Sequence, residues 1–178
     1  TEGCYKMVKA CFLDRDGTIN KLISGRPDPK HVGPWKFEEF EYIKGVPEAI
    51  RKLRALGFTL HVVTNQPDAD DGLMTHEELK KMHEKLAKDL SVDTIQSSFT
   101  RGHETYKPNT GMLEHIIKKW HVTRERSWMI GDSWKDIVAG HNAGVKTIYL
   151  GSVWDRPDQY PNIFPTHFAT DLLDAELL

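Results

Sequence analysis

Val8-Lys9-Ala10-Cys11-Phe12-Leu13-Asp14-Arg15-Asp16-Gly17-Thr18 is the stretch from which the fold is read. Its first six residues have the length and apolar content of a buried strand. The run stops abruptly at two aspartates separated by one residue. Gly17 then permits a tight bend, which brings both carboxylates to a common point beyond the strand end.

The same pattern recurs downstream. Phe58 to Val63 is a second apolar run, ending in Thr64-Asn65-Gln66-Pro67, and Trp128-Met129-Ile130 is another, ending in Gly131-Asp132-Ser133. Val145 to Leu150 reads as a strand, Thr94 to Phe99 as a more polar one, and His167-Phe168 as a short one. Between them lie helical patterns. One opens at Pro47 and closes at Gly57. A second starts from a capping box of Thr75 and Glu78 and runs to about Leu90, with Leu79, Met82, His83, Leu86 and Leu90 on its inner face. Thr110 to Trp120 forms a third, with Met112, Leu113, Ile116, Ile117 and Trp120 inward. A fourth follows Ser133 and is stopped by Gly144, and a terminal helix is predicted from Asp171. Residues 19–45 and 151–165 read as loops. Strands alternating with helices of this length predict an α/β fold, a three-layer Rossmann-like parallel sheet with helices on both faces. The absence of an interior linker or repeat makes residues 1–178 a single domain.

Bulk properties narrow the function. The chain has 178 residues, 39% hydrophobic and 28% charged, with 24 basic and 26 acidic side chains and a net charge of -2. That balance carries no electrostatic footprint for nucleic acid or an anionic membrane. No apolar stretch approaches the ~20 residues of a membrane span. With two cysteines, Cys4 and Cys11, a disulfide framework is not expected. The default is a cytoplasmic enzyme, with a monomer favoured and a small molecule as its partner.

Ligands of open parallel sheets bind outside the carboxyl ends of the strands. The first strand end supplies Asp14 and Asp16, the second Thr64 and Asn65, and the fourth Asp132 and Asp136. Lys107 precedes a helix on the same side. A phosphate monoester is dianionic and repels an attacking carboxylate unless cations screen the site. Asp14 and Asp132 could hold a divalent metal through carboxylate oxygens, and Asp16 through its backbone carbonyl. Lys107 would add fixed positive charge, and Thr64 with the following N–H groups would bind phosphate oxygens. Asp16 could protonate the leaving oxygen and then deprotonate the attacking water, with a covalent phospho-aspartate on Asp14 dividing the displacement into two steps.

Each residue also has a plainer reading. Asp14 and Asp16 could form an Asx turn, and Asp132 or Ser133 could merely cap a helix. An isolated lysine is usually solvated. His76 and His83 read as helix decoration, and Trp35, Trp134 and Trp154 as packing residues, with substrate contact the weaker alternative for Trp35 and Trp154.

Taken together the motifs carry a family resemblance. Asp14-Arg15-Asp16-Gly17-Thr18 resembles the DxDGT signature of the haloacid dehalogenase-like hydrolases, Thr64 their second motif, Lys107 their third, and Gly131-Asp132-Ser133-Trp134-Lys135-Asp136 their fourth. The resemblance covers residues 8–150. It implies Asp14 as nucleophile, Asp16 as acid/base and magnesium at Asp14, Asp16 and Asp132. Arg15, Asn65, Gln66 and Lys107 are expected to contact substrate, and Ser133 and Asp136 to support the site. An aspartate at the position of Asp16 points to phosphatases rather than dehalogenases. Phe12 to Asn20, Val63 to Gln66 and Lys107-Pro108-Asn109-Thr110-Gly111-Met112 resemble the subgroup of histidinol-phosphate and D-glycero-D-manno-heptose-1,7-bisphosphate phosphatases.

Two departures from that subgroup stand out. The segment Ser98 to Tyr106 offers His103 and no cysteine, so no zinc is expected there, and Tyr106 replaces the usual arginine before the lysine. Asp68, Asp70 and Asp71 follow Gln66, and three acidic residues there would repel a second phosphate. Neither interval in which the family inserts caps is long enough for a full cap domain, which predicts an open site where residues 21–37 and 66–74 could act as small specificity loops. The expected activity is a magnesium-dependent phosphomonoesterase acting on a small phosphorylated metabolite, such as a sugar phosphate. A polynucleotide 3′-phosphatase is the alternative enzyme, and a non-catalytic phosphate-binding regulatory protein the alternative of another class. Haloacid dehalogenation is a minor third.

Overall fold

Cys11 and Leu13 pack on one side of their strand and Ala10 and Phe12 on the other, and each set meets a different layer of helices. This alternation is seen in a computed structural model that describes residues 7–30 and 32–175. Six strands form one sheet: β1 (Ala10–Leu13), β2 (Thr59–Asn65), β3 (Thr94–Ser98), β4 (Trp128–Gly131), β5 (Lys146–Leu150) and β6 (His167–Ala169). Their order is β3-β2-β1-β4-β5-β6 and every pairing is parallel. The helices are α1 (Val46–Ala55), α2 (Pro67–Asp70), α3 (His76–Leu90), α4 (Gly111–Trp120) and α5 (Trp134–Asn142). The sheet is the three-layer α/β arrangement expected from the alternation of elements.

One face of β1, β2 and β4 packs Cys11, Leu13, Leu60, Val62 and Ile130 against Ile50 and Leu53 of α1 and Leu79, Met82, Leu86 and Leu90 of α3. The other packs Ala10, Phe12, Val63 and Met129 against Met112, Leu113, Ile116 and Ile117 of α4. All four residues of β1 are fully buried, as a central strand covered on both faces must be. Among the described residues no helix is long and apolar enough to cross a membrane.

Local chemistry explains where the elements begin and end, and where expectation fails. Strand β1 starts at Ala10, two residues late, because Val8 makes only an isolated bridge to Val122. The Thr75 hydroxyl caps α3 by accepting from Glu78 N at 3.1 Å. The reciprocal half of the expected capping box is replaced, since the Glu78 carboxylate accepts the N–H of Phe37 from the loop above. His83 is only partly buried on α3. From Asp171 to Ala175 the chain makes a turn instead of the expected helix. There Asp171 Oδ1 accepts from Asp174 N at 2.9 Å and Asp174 Oδ2 from Thr170 N at 3.0 Å, and the remainder of the expected helix lies outside the described residues. Cys11 is a free, buried thiol; Cys4 lies outside the described residues.

Candidate active site

Strand order reverses between β1 and β4, and in such sheets the adjacent carboxyl ends open a crevice. Asp14 directly follows β1 and Asp132 directly follows β4, so the two carboxylates face each other across that point. The cleft there has a volume of about 260 Å³, and Asp14, Asp16, Thr64, Lys107, Asp132 and Asp136 all line it.

Lys107 is the buried post of the site, only 2% exposed. Its ammonium donates to Asp14 Oδ1 at 2.9 Å, to Asp136 Oδ1 at 2.6 Å and to the Val63 carbonyl at 2.7 Å. Three donors meet three acceptors, so the side chain is fully satisfied and held rigidly. Burial alone would lower its pKa; the charges of Asp136 and Asp14 overcome that and hold it above the ordinary lysine value. The plainer reading of Lys107 as a solvated surface lysine therefore fails here.

Asp14, Asp132 and Asp136 place ligand oxygens within 4.8 Å of one another. Two close contacts depend on missing side chains. A Cβ on Gly17 would sit 1.9 Å from Asp132 Oδ2, and one on Gly131 would sit 2.1 Å from Asp136 Oδ2. Burial, and then the charge of Asp14, raises the pKa values of both Asp132 and Asp136. For Asp136 the Lys107 charge works in the opposite direction. One lysine does not offset three crowded carboxylates, so the donor set suits an additional hard cation. Asp136 Oδ2 also accepts from Ser133 N at 3.0 Å, while Ser133 Oγ accepts from Lys135 N at 3.2 Å. This capping box fixes α5 and, through Asp136, the position of Lys107.

Asp16 is held by three side chains. Arg15 Nε and Asn20 Nδ2 donate to its Oδ1 at 2.9 and 3.0 Å, and Gln66 Nε2 donates to its Oδ2 at 2.9 Å. Arg15, expected to touch substrate, is instead fully buried and does not line the cleft. The bend after Asp14 turns it inward, where its Nη1 donates to His83 Nε2 at 3.1 Å and its guanidinium lies 5.7 Å from the Phe40 ring. His83 is thus more than helix decoration. Burial, assisted by the Arg15 charge, lowers its pKa to about 4, leaving the ring neutral as an acceptor.

Asn65 and Gln66 line the cleft, but their amides serve the scaffold. Asn65 donates to the Lys107 carbonyl at 2.9 Å and accepts from Lys107 N at 3.0 Å, clasping that loop to the end of β2. Gln66 Nε2 also donates to Thr64 Oγ1 at 2.8 Å. At the rim Trp35 Nε1 donates to Asp68 Oδ2 at 2.7 Å, and Arg26 stacks 3.6 Å from the Trp35 ring. Of the three acidic residues expected to repel a second phosphate, only Asp68 lines the cleft. Asp71 pairs with Arg101 at 2.7 Å and Asp70 lies 3.3 Å from His76. His103, in the segment that lacks cysteine, turns its Nδ1 to Thr105 Oγ1 at 2.9 Å. Sequence reading missed Asn20, His83 and the Trp35–Asp68 contact. Only Asn20, four residues after Asp16 in the signature itself, carried a local signal.

Comparison with known proteins sets this geometry in context. The sequence pattern of the haloacid dehalogenase-like hydrolases matches residues 29–150. The D-glycero-beta-D-manno-heptose-1,7-bisphosphate 7-phosphatase of Escherichia coli K12 is 34% identical over 160 residues, covering 82% of this chain and 80% of that protein. The enzyme of the same name from Helicobacter pylori is 33% identical, covering 80% of this chain and 82% of its own. Among solved structures, the D,D-heptose 1,7-bisphosphate phosphatase from B. bronchiseptica, complexed with magnesium and phosphate, superposes with a TM-score of 0.77. It is 23% identical, with 94% of this chain and 95% of that one covered, and at that identity it speaks for the fold.

Proposed function

Since the chain belongs to the haloacid dehalogenase-like hydrolases, and to the phosphatases among them, we propose that it hydrolyses a phosphorylated sugar through a phospho-aspartate on Asp14. The relatives' names make D-glycero-D-manno-heptose-1,7-bisphosphate the first substrate to try. The observation that carries the assignment is Asp14 at the switch point, its Oδ1 bonded to buried Lys107 and its neighbours the carboxylates of Asp132 and Asp136.

In this reading Asp14, Asp132 and the Asp16 carbonyl would hold magnesium, with Asp136 supporting them through Lys107. When bound, the metal supplies the charge that lets a carboxylate and a phosphate dianion approach. Lys107 fixes the Asp14 carboxylate and adds a permanent positive charge beside the transferring group. The Thr64 hydroxyl, oriented by Gln66, faces the phosphate oxygens. An Asp14 oxygen attacks phosphorus, the bond to the ester oxygen breaks, and the leaving oxygen takes a proton from Asp16. Water then attacks the phospho-aspartate, returning its proton to Asp16 and releasing inorganic phosphate. Arg15, Asn20 and Gln66 keep Asp16 in place for both steps.

The test is phosphate release from a panel of phosphorylated metabolites, heptose-1,7-bisphosphate included, with and without magnesium. Turnover that needs magnesium and disappears in Asp14→Asn is expected. Activity persisting in Asp14→Asn would overturn the phospho-aspartate, and a wild type inactive on every ester would overturn the assignment.

A further inference from the structure

The cleft holds a lysine that phosphoryl transfer to Asp14 does not use. Lys135 lies in the first turn of α5, one residue before Asp136, and lines the cleft beside Tyr106. Its ammonium sits 5.5 Å from the centroid of the buried Tyr106 ring and 5.9 Å from that of Trp134. An aromatic face attracts and steadies a cation without neutralising it. Of the other cations nearby, Lys107 is engaged by Asp14 and Asp136 and Arg101 by both oxygens of Asp71, while Lys30, which also lines the cleft, is exposed on the rim. Lys135 itself is half-buried and, among the described residues, has no carboxylate in ion-pair contact. Burial lowers its pKa from the ordinary lysine value, with Asp136 pulling the other way. A partly desolvated cation with no anion costs folding energy, and a neutral side chain would fill the position more cheaply.

We infer that Lys135, steadied over Tyr106, determines specificity by taking a second phosphate of the substrate, the one that is not transferred. The inference rests on the sugar-phosphate reading above and adds to it the residue that receives the phosphate left on the product. Tyr106 belongs to the same device: it directly precedes Lys107, so the arm that holds the unreactive phosphate is braced against the residue next to the post that holds the nucleophile. Asp71 pairs with Arg101 and Asp70 turns to His76, so of the three rim acids only Asp68, held by the Trp35 indole, is left facing such a group.

The experiment compares kcat and KM of wild type, Lys135→Gln and Lys135→Arg on two substrate pairs. They are heptose-1,7-bisphosphate against heptose-7-phosphate, and fructose-1,6-bisphosphate against fructose-6-phosphate. Within a pair the wild type is expected to prefer the bisphosphate in kcat/KM by about 10–100-fold, the range of one charge-assisted hydrogen bond. Lys135→Gln should shrink that ratio about tenfold or more, through KM, and Lys135→Arg should restore most of it. A wild-type ratio near one in both pairs overturns the inference while leaving the phosphatase reading intact. So does an equal loss on both members of a pair in Lys135→Gln, which would place Lys135 on the transferred phosphate. Absence of turnover on all four esters would sink the sugar-phosphate reading, and the inference with it.

Discussion

Replacing Gly17 by alanine probes how closely the carboxylates are packed. The new methyl would meet Asp132 Oδ2 at 1.9 Å and Cγ at 2.6 Å. An ordinary carbon–oxygen contact is about 3.4 Å, so the carboxylate must retreat by about 1.5 Å. A carboxylate is the free end of a side chain and can swing away, so the fold should survive while the site does not. Misplacement on that scale costs about 10²-fold in kcat/KM. Gly17 also has φ +81°, and holding alanine there costs about 1–2 kcal/mol. For a chain of this length that lowers Tm by about 2–8 °C. Thermal melts and phosphate-release kinetics over a magnesium titration measure both effects. A second arm isolates the cause. In an Asp132→Ala background the methyl has nothing to displace, so Gly17→Ala should lower Tm but add little to the loss of activity. Activity within threefold of wild type for Gly17→Ala, or full additivity with Asp132→Ala, would refute the reasoning.

Three other perturbations have signs fixed by the geometry. Lys107→Met strands Asp136, only 1% exposed, with the Ser133 N–H as its remaining partner. Urea denaturation should show a loss of about 3–5 kcal/mol together with loss of turnover, and a deficit below 1 kcal/mol would contradict it. His61 is fully buried between the Thr59 and Thr94 hydroxyls, and burial lowers its pKa to about 4. The unfolded chain then takes the proton first, so stability falls as pH drops from about 6.5 towards 4, by up to about 3 kcal/mol. NMR should find the ring neutral at pH 5.5, and His61→Gln should make that acid limb shallower, leaving the share of His83, which is depressed over the same range. Trp35→Phe removes the bond to Asp68 but keeps a ring for Arg26 to stack on. It should raise KM several-fold with little change in kcat, and a loss confined to kcat would mean the rim contact acts on the chemistry instead.

The parts legible in the sequence are those decided over a few residues. Apolar runs such as Ala10–Leu13 and Trp128–Gly131 must be strands because nothing else buries them at that length, and the polar residue after each must lie at a carboxyl end. Family resemblance then assigned chemistry to those ends. What stayed hidden depends on partners far along the chain. Arg15 sits between two aspartates that line the cleft, and only the arrival of His83, 68 residues on, explains its inward turn. The amides of Asn65 and Gln66 look like substrate contacts until Lys107 and Asp16 fold against them. The Glu78 half of the capping box was lost to a loop N–H from Phe37, 41 residues earlier. The acidity of residues 68–71 read as repulsion because Arg101, which pairs with Asp71, comes 30 residues later.

The sheet order has a consequence for how such a protein diversifies. Asp14, Thr64 and Asp132 all extend from β1, β2 and β4, strands flanked by a neighbour on each side, while the edge strands β3 and β6 present none of them. Much of the cleft's rim lies outside the sheet, on Leu22, Val32, Gly33 and Asp68, with Lys135 on α5. On the proposed reading, the groups that break the bond and those that select the substrate are therefore borne by separable parts. Insertions, exchanges and grafts in the rim, or changes at Lys135, are then expected to redirect substrate choice while the interior strands conserve the chemistry.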